Sequence, residues 1–273
     1  MEIGYLFSVM KADLYSFYCW VKNNRGYAFM MLLWPYLMAF FLLGLGSILG
    51  SLEEYSRRMD LVNPVFYIVA SSSIMVSSIS IVDNVAMMLL RHRWIGTLPY
   101  IVSSPPGLII YAIAAPIPST MITSFVSLTS ILPVIAFIEG LAGVYKLFII
   151  LLFIYMAMLP LIGISVVIGG LSLLAREETN IASFLTPFIL LVSGVFYPQT
   201  ILPWILQVIG KALPLVYVVE ATKIMAIYHL PPFNKLYPLI GFLVGLAIIY
   251  NTVAAPGVKF IEKKIVESGV YEE

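Results

Sequence analysis

Long apolar runs dominate this chain, and each ends at a short cluster of charge, glycine or proline. The runs do not alternate polar with apolar, so they predict helices and not barrel strands. A helix needs about 20 residues, at about 1.5 Å each, to cross about 30 Å of hydrocarbon. Only helices and closed barrels satisfy their own backbone there. Six spans are predicted, over residues 27–49, 65–90, 108–138, 145–174, 181–197 and 236–255. Residues 199–230 stay apolar but are interrupted by Pro203, Gly210 and Pro214, follow Pro198, and carry Lys211, Glu220 and Lys223. That stretch predicts two short helices that dip into the membrane and return.

The ends are amphipathic. Ile3, Leu6, Phe7, Met10, Leu14, Phe17, Tyr18 and Val21 repeat at helical spacing, with Ser8, Lys11 and Lys22 off that face. Residues 1–26 thus read as a helix lying in the interface plane, either as a surface anchor or as a docking face for a partner. In the tail, 257–273, Val258, Ile261 and Ile265 repeat the pattern more weakly against Glu262, Lys263, Lys264 and Glu267. Six spans put both termini on one side. An inside N-terminus gives the inner segments Lys11, Lys22, Arg25, Arg91, Arg93, Arg176, Lys259, Lys263 and Lys264, and the outer ones Arg57, Arg58, Lys146, Lys211, Lys223 and Lys235. The inner excess of basic residues favours cytoplasmic termini in the cell membrane.

Composition agrees with this pattern. Hydrophobic residues make up 61% and charged residues 11% of 273, and mean hydropathy is +1.01. Soluble domains have about 45–50% apolar and about 25% charged residues. The expected fold is therefore an all-α integral membrane protein, a single domain over 1–273. The net charge of +1 offers no field for nucleic acid. The lone Cys19 excludes an internal disulfide and a cysteine-rich metal site. The first apolar run, too long for a signal-peptide core, has no small-residue cleavage pattern after it.

Catalytic groups are scarce. The two histidines, His92 and His229, lie near predicted span ends, and no H-E-x-x-H pair exists. Ser193-Gly194 lacks the G-x-S-x-G setting of a serine hydrolase. No G-x-x-x-x-G-K-S/T run is present, so no nucleotide-hydrolysing loop is expected on this chain, nor any cofactor. Asp83 and Asn84 sit toward the inner end of the second span, as helix-end residues near Arg91 or as a site within the membrane. Ser71, Ser72, Ser73, Ser77, Ser78 and Ser80 on the same helix, and Gly241 with Gly245 in the last span, suit close helix packing.

Two segments carry more. Residues 91–106 follow a span with Arg91 and Arg93, then the apolar Trp94, Ile95, Leu98, Tyr100 and Ile101, and break at Pro105-Pro106. They predict a short helix parallel to the membrane, suited to a groove on a soluble partner. Residues 180–223 contain Ser193-Gly194, Tyr197-Pro198, Leu202-Pro203, Pro214-Leu215, Tyr217, Glu220-Ala221 and Lys223 in that order. This ordered set resembles the permease subunit of the type-2 ABC transporters, the family of multidrug, polysaccharide and lipid exporters. Lys223 stands where the family usually has Arg, keeping the charge but losing the bidentate fork. Gly96-Thr97-Leu98 followed by Ser104-Pro105 resembles the family's segment between spans two and three.

The resemblance implies specific roles. Arg91, Arg93, Trp94, Gly96, Thr97 and Leu98 would form the coupling helix that touches an ATPase subunit. The N-terminal helix would border that ATPase, and the loop 175–180 could do so too. Ser193, Gly194, Pro198, Pro203, Pro214, Glu220 and Lys223 would belong to outer re-entrant helices between spans five and six, where Glu220 and Lys223 at i and i+3 can pair. A second permease copy or a paralogue would complete the path through the bilayer, and ATP and Mg would sit on the partner ATPase. The chain itself would be a transport subunit and not an enzyme. The competing readings are an ion channel or secondary carrier working without an ATPase, and a relative that uses ATP for mechanical work on the membrane.

Overall fold

The centre of this molecule is the helix that can be covered on every side. The computed structural model describes residues 2–48, 54, 57, 61–105, 107–174, 181–196, 199 and 202–268. Among them the chain is almost wholly helical and has no strand. The helices are α1 Glu2–Asn23, α2 Arg25–Ile48, α3 Pro64–Trp94, α4 Leu98–Val102, α5 Gly107–Ala114, α6 Pro116–Leu174, α7 Ile181–Ser193, α8 Trp204–Ala212, α9 Pro214–Ile227 and α10 Phe233–Ser268.

Helix α3 is the core. Of its most apolar stretch 83% is buried, against 17% for α2 and for α10, which therefore lie at the periphery. Its serines allow this. Ser71, Ser72, Ser73 and Ser77 are fully buried; the Ser73 hydroxyl donates to the Ser127 carbonyl of α6 at 3.0 Å. Ser72 and Ser78 turn back onto their own helix, at the Val69 and Ile74 carbonyls. Small side chains bring backbones together, and the Ser72, Ser73 and Ser78 hydroxyls find partners across or along the helix while the buried Ser71 and Ser77 hydroxyls have none; the burial of the stripe fits close packing. Further along, Gly169 of α6 meets Ala86 of α3 so closely that a Cβ there would lie 3.0 Å from the alanine Cα.

Helix α6 is a hairpin. Gly140 has φ 63 and ψ −147 within it, a conformation that only glycine takes freely. Beyond that point the chain runs back along itself: Tyr155 donates to the Met121 carbonyl at 3.2 Å, and Thr120 to the Met158 sulfur at 3.1 Å. The two arms correspond to the expected spans 108–138 and 145–174, with α5 leading into the first.

Four helical stretches are long and apolar enough to cross a membrane, counting Gly107–Leu173 as one, and five if the bent pair α8 and α9 counts as one more. Spans one, two and six correspond to α2, α3 and α10. The fifth expected span corresponds to α7, whose 13 residues extend about 20 Å, short of the hydrocarbon thickness; Tyr197 lies outside the described residues. Helices α8 and α9 are the two short helices expected in 199–230, bent by 95°. The tail differs from expectation. Helix α10 continues through Pro256 to Ser268, and Val258 and Ile261 are buried. Ile261 packs onto Gly170 of α6.

One end of the bundle is tied by charge. Lys146 and Glu139 are 2% and 8% exposed and form an ion pair at 2.6 Å across the hairpin turn. Asn63 donates to the other Glu139 oxygen at 2.7 Å, caps α3 by accepting from the Phe66 N–H at 3.0 Å, and gives its own N–H to Ala226 of α9. The Lys146 ammonium also lies 5.0 Å from the centre of the Phe66 ring. Removing one partner strands a buried charge. Lys146→Met should therefore cost about 3–5 kcal/mol, read as a lower Tm of the purified protein, and adding Glu139→Leu should recover most of it. Equal Tm values for the single and double variants would show that the pair does not hold this end.

Candidate functional site

The turn after α3 is built around one histidine. Helix α3 ends at Trp94, and Gly96 reverses the chain at φ 74. The Thr97 N–H reaches the His92 carbonyl at 2.9 Å. The Thr97 hydroxyl lies 2.8 Å from His92 Nδ1, and the Tyr111 hydroxyl of α5 lies 2.6 Å from His92 Nε2. Each ring nitrogen thus has a hydroxyl partner, which fixes the imidazole and ties α3, the turn and α5 together. Leu98, 1% exposed, plugs the short helix α4 into the core. On the outside of this anchored turn Trp94, Ile95 and Tyr100 are 54%, 64% and 76% exposed. The arrangement is a rigid support with an apolar surface.

The two arginines of this segment part company. Arg93 donates to the Leu173 carbonyl at 3.4 Å, where its charge also suits the C-terminal end of α6. Arg91 is exposed and faces Asp13 of α1. Of the expected contact set, Trp94 is presented outward, Leu98 is buried, and Gly96 and Thr97 shape the turn. The loop 175–180 lies outside the described residues.

The second motif is distributed over α7, α8 and α9. Ser193, 1% exposed, donates to the Leu190 carbonyl at 2.7 Å. Gly194, at φ 79, ends α7, and its carbonyl accepts from Tyr67 of α3 at 3.3 Å. Gln199 donates to the Val192 and Ser193 carbonyls at 3.3 and 3.4 Å. Pro203 and Pro214 start α8 and α9, where a missing N–H costs nothing. The free carbonyls at the end of α8 are taken by two tyrosines, Tyr217 at Lys211 (2.8 Å) and Tyr250 of α10 at Ala212 (2.7 Å). Pro198 lies outside the described residues. Glu220 and Lys223 share a face of α9 and attract each other, but their side chains form no ion pair, unlike the expected i, i+3 contact. Asp83 accepts from Thr186 of α7 at 2.8 Å, which gives this carboxylate a bonding partner between helices.

The sequence reading missed the His92 brace. Its signal was present: a histidine five residues before a threonine, across a Gly turn. It also missed Asp13, the one acid within the body of a helix read for its apolar face, Glu2 being at its first position. No protein-family model matches this chain, and no curated protein matches it in sequence. Among the described residues no group of three His, Cys, Asp or Glu side chains could hold a metal ion.

Burial pushes the Asp13 carboxyl above the ordinary carboxylate range, overcoming hydrogen bonds from Ser119 and the charge of Arg91. The raised value means that docking favours the neutral acid more than exposure to water does. Its contribution is full below the ordinary value of 3.8 and is lost as pH rises through the raised one. Helix α1 should thus be more protected in amide exchange, after correction for intrinsic rates, at about pH 4 than at about pH 7. Asp13→Asn should flatten that difference, and an unchanged difference would place the titration elsewhere.

Proposed function

We propose that this chain is the membrane permease subunit of an ATP-driven exporter of the type-2 ABC class, acting with a second permease copy or a paralogue and with a separate ATPase. The carrying observation is the anchored α4 turn with its outward apolar face, at the end of the most buried helix. Helix α3 has 31 residues and extends about 46 Å, so a push on α4 reaches the centre of the bundle. An exposed apolar patch rimmed by charge is what a docking partner covers. The ordered motif from Ser193 to Lys223 supports the same reading.

In this proposal six spans cross the cell membrane: α2, α3, the two arms of the α5–α6 hairpin, α7 with its flanks, and α10. Helices α8 and α9 re-enter from the outer face, and both termini are cytoplasmic. Helix α1 lies in the interface, its exposed Phe7, Leu14 and Tyr18 toward lipid. ATP and Mg bind the partner. ATP closure then pushes on α4 and shifts the permease pair between inward-open and outward-open states; each state must differ in its affinity for cargo.

Tyr100→Glu together with Ile95→Glu should weaken association with the co-expressed ATPase by at least roughly tenfold, about 1.4 kcal/mol, and lower cargo-stimulated hydrolysis, with Tm unchanged. Full-rate flux through the purified chain alone, with no nucleotide-hydrolysing partner bound at α4, would overturn the proposal.

A further inference from the structure

A cavity of about 280 Å³ opens where α1, α2, α3 and α6 meet, lined by Asp13, Trp20, Tyr27, Arg91, Trp94 and Ser119 among others. We propose that it binds the headgroup of a zwitterionic amine phospholipid, with the ammonium against Asp13 and the aromatic rings and the phosphate against Arg91. The inference does not depend on the exporter reading.

The charges define the ligand class. A carboxylate and a guanidinium line the same space yet form no ion pair with one another, so the guanidinium and one carboxylate oxygen can each meet an opposite charge on a guest. Asp13 Oδ2 is buried without a hydrogen-bond partner, while Ser119 faces the carboxylate from the start of α6. The rings define the cation. Trp20 and Tyr27 stand edge to face, 4.0 Å between centroids and 64° between planes, making a corner at the α1–α2 junction, and Trp94 adds a third aromatic wall. Ammonium groups bind such surfaces by attraction to the ring faces, best at indole. Arginine suits the phosphate because its donors match phosphate oxygens in pairs.

Size and setting point to a lipid. The volume lies just under the about 300–1,000 Å³ of pockets for drug-sized ligands, which suits a headgroup more than a whole molecule. One helical turn beyond Tyr27, Met30 is exposed on an apolar helix, with Phe29 and Leu32 beside it. Acyl chains leaving the cavity would run along this face of α2. An anionic lipid would satisfy Arg91 alone and leave Asp13 facing a negative phosphate, so the carboxylate selects for the amine.

The test is native mass spectrometry of the full chain in detergent, titrated with phosphatidylethanolamine and with phosphatidylglycerol bearing the same acyl chains. The expected result is about fivefold tighter retention of phosphatidylethanolamine. Asp13→Asn and Trp20→Leu should each equalise the two lipids, and Arg91→Gln should weaken both. Acyl-free glycerophosphoethanolamine separates the two sources of this chemistry. Competition only at large excess assigns the site to a lipid, whereas competition at parity assigns the same chemistry to a soluble phospho-amine and overturns the lipid. Equal retention of both lipids by the unaltered chain, or a preference that survives Asp13→Asn with Tm preserved, overturns the site.

Discussion

Hydrocarbon offers a broken helix no water, so every interruption must be closed by a group brought from elsewhere in the protein. This constraint organises the molecule. The chain breaks its helices often, and the breaks are met by polar side chains. Gln199 closes the end of α7, Tyr217 and Tyr250 close α8, Arg93 reaches the end of α6, and Asn63 caps α3. The N–H of Leu108, at the start of α5, donates to a Glu262 carboxylate oxygen of α10 at 3.4 Å. These partners come mostly from neighbouring segments, so the bonds that make the breaks tolerable also join one helix to the next.

A consequence is that the polar groups of this apolar protein are mostly structural. Glu139 and Lys146 are among its few charges, yet both are buried. A buried ion pair is poor evidence of extra stability, because desolvation offsets much of the attraction. What it fixes is geometry. Only one arrangement of the hairpin turn, Asn63 and Phe66 satisfies all the groups at once. The same logic holds at the other turn, where His92 has partners for both ring nitrogens and Leu98 fills the core beneath.

The sequence carried the helices well and their closure badly. Helix positions followed from run length, although the fifth run yields only the 13-residue α7, and α8 with α9 followed from Pro203 and Pro214, which sit at helix starts. The serine stripe on α3 was read correctly as packing, since small residues on a core helix have one dominant physical use. What was not legible depends on separations across the chain. Lys146 looked like an ordinary loop charge: its partner Glu139 is only seven residues back, but Asn63, which helps bury that pair, is 76 residues from Glu139. The bond from Arg93 to the Leu173 carbonyl, 80 residues on, was likewise not readable from the sequence. Glu220 and Lys223 show the converse: spacing that permits an ion pair does not form one when side-chain direction and neighbours decide otherwise. The helical pattern read in the tail at Val258, Ile261 and Ile265 is continuous with the last span in α10, where Val258 and Ile261 are buried.

A helix pushed at one end acts as a lever only if its other end is held. Helix α3 has that asymmetry. At its start a charge pair, a cap and a ring contact converge on Asn63 and Phe66, and each is costly to lose because it is buried. At its end the ties are one imidazole between two hydroxyls and one arginine on a distant carbonyl, and apolar side chains stand exposed. The hydroxyl bonds to the imidazole contribute only about 0.5–1.5 kcal/mol each, and the guanidinium bond about 1.5–3 kcal/mol. A partner covering Trp94, Ile95 and Tyr100 could supply a comparable energy from buried area alone, at about 25 cal/mol per Å². The end that the exporter proposal asks to move is thus the one held by the weaker bonds, and the stronger set lies where movement would have to pivot.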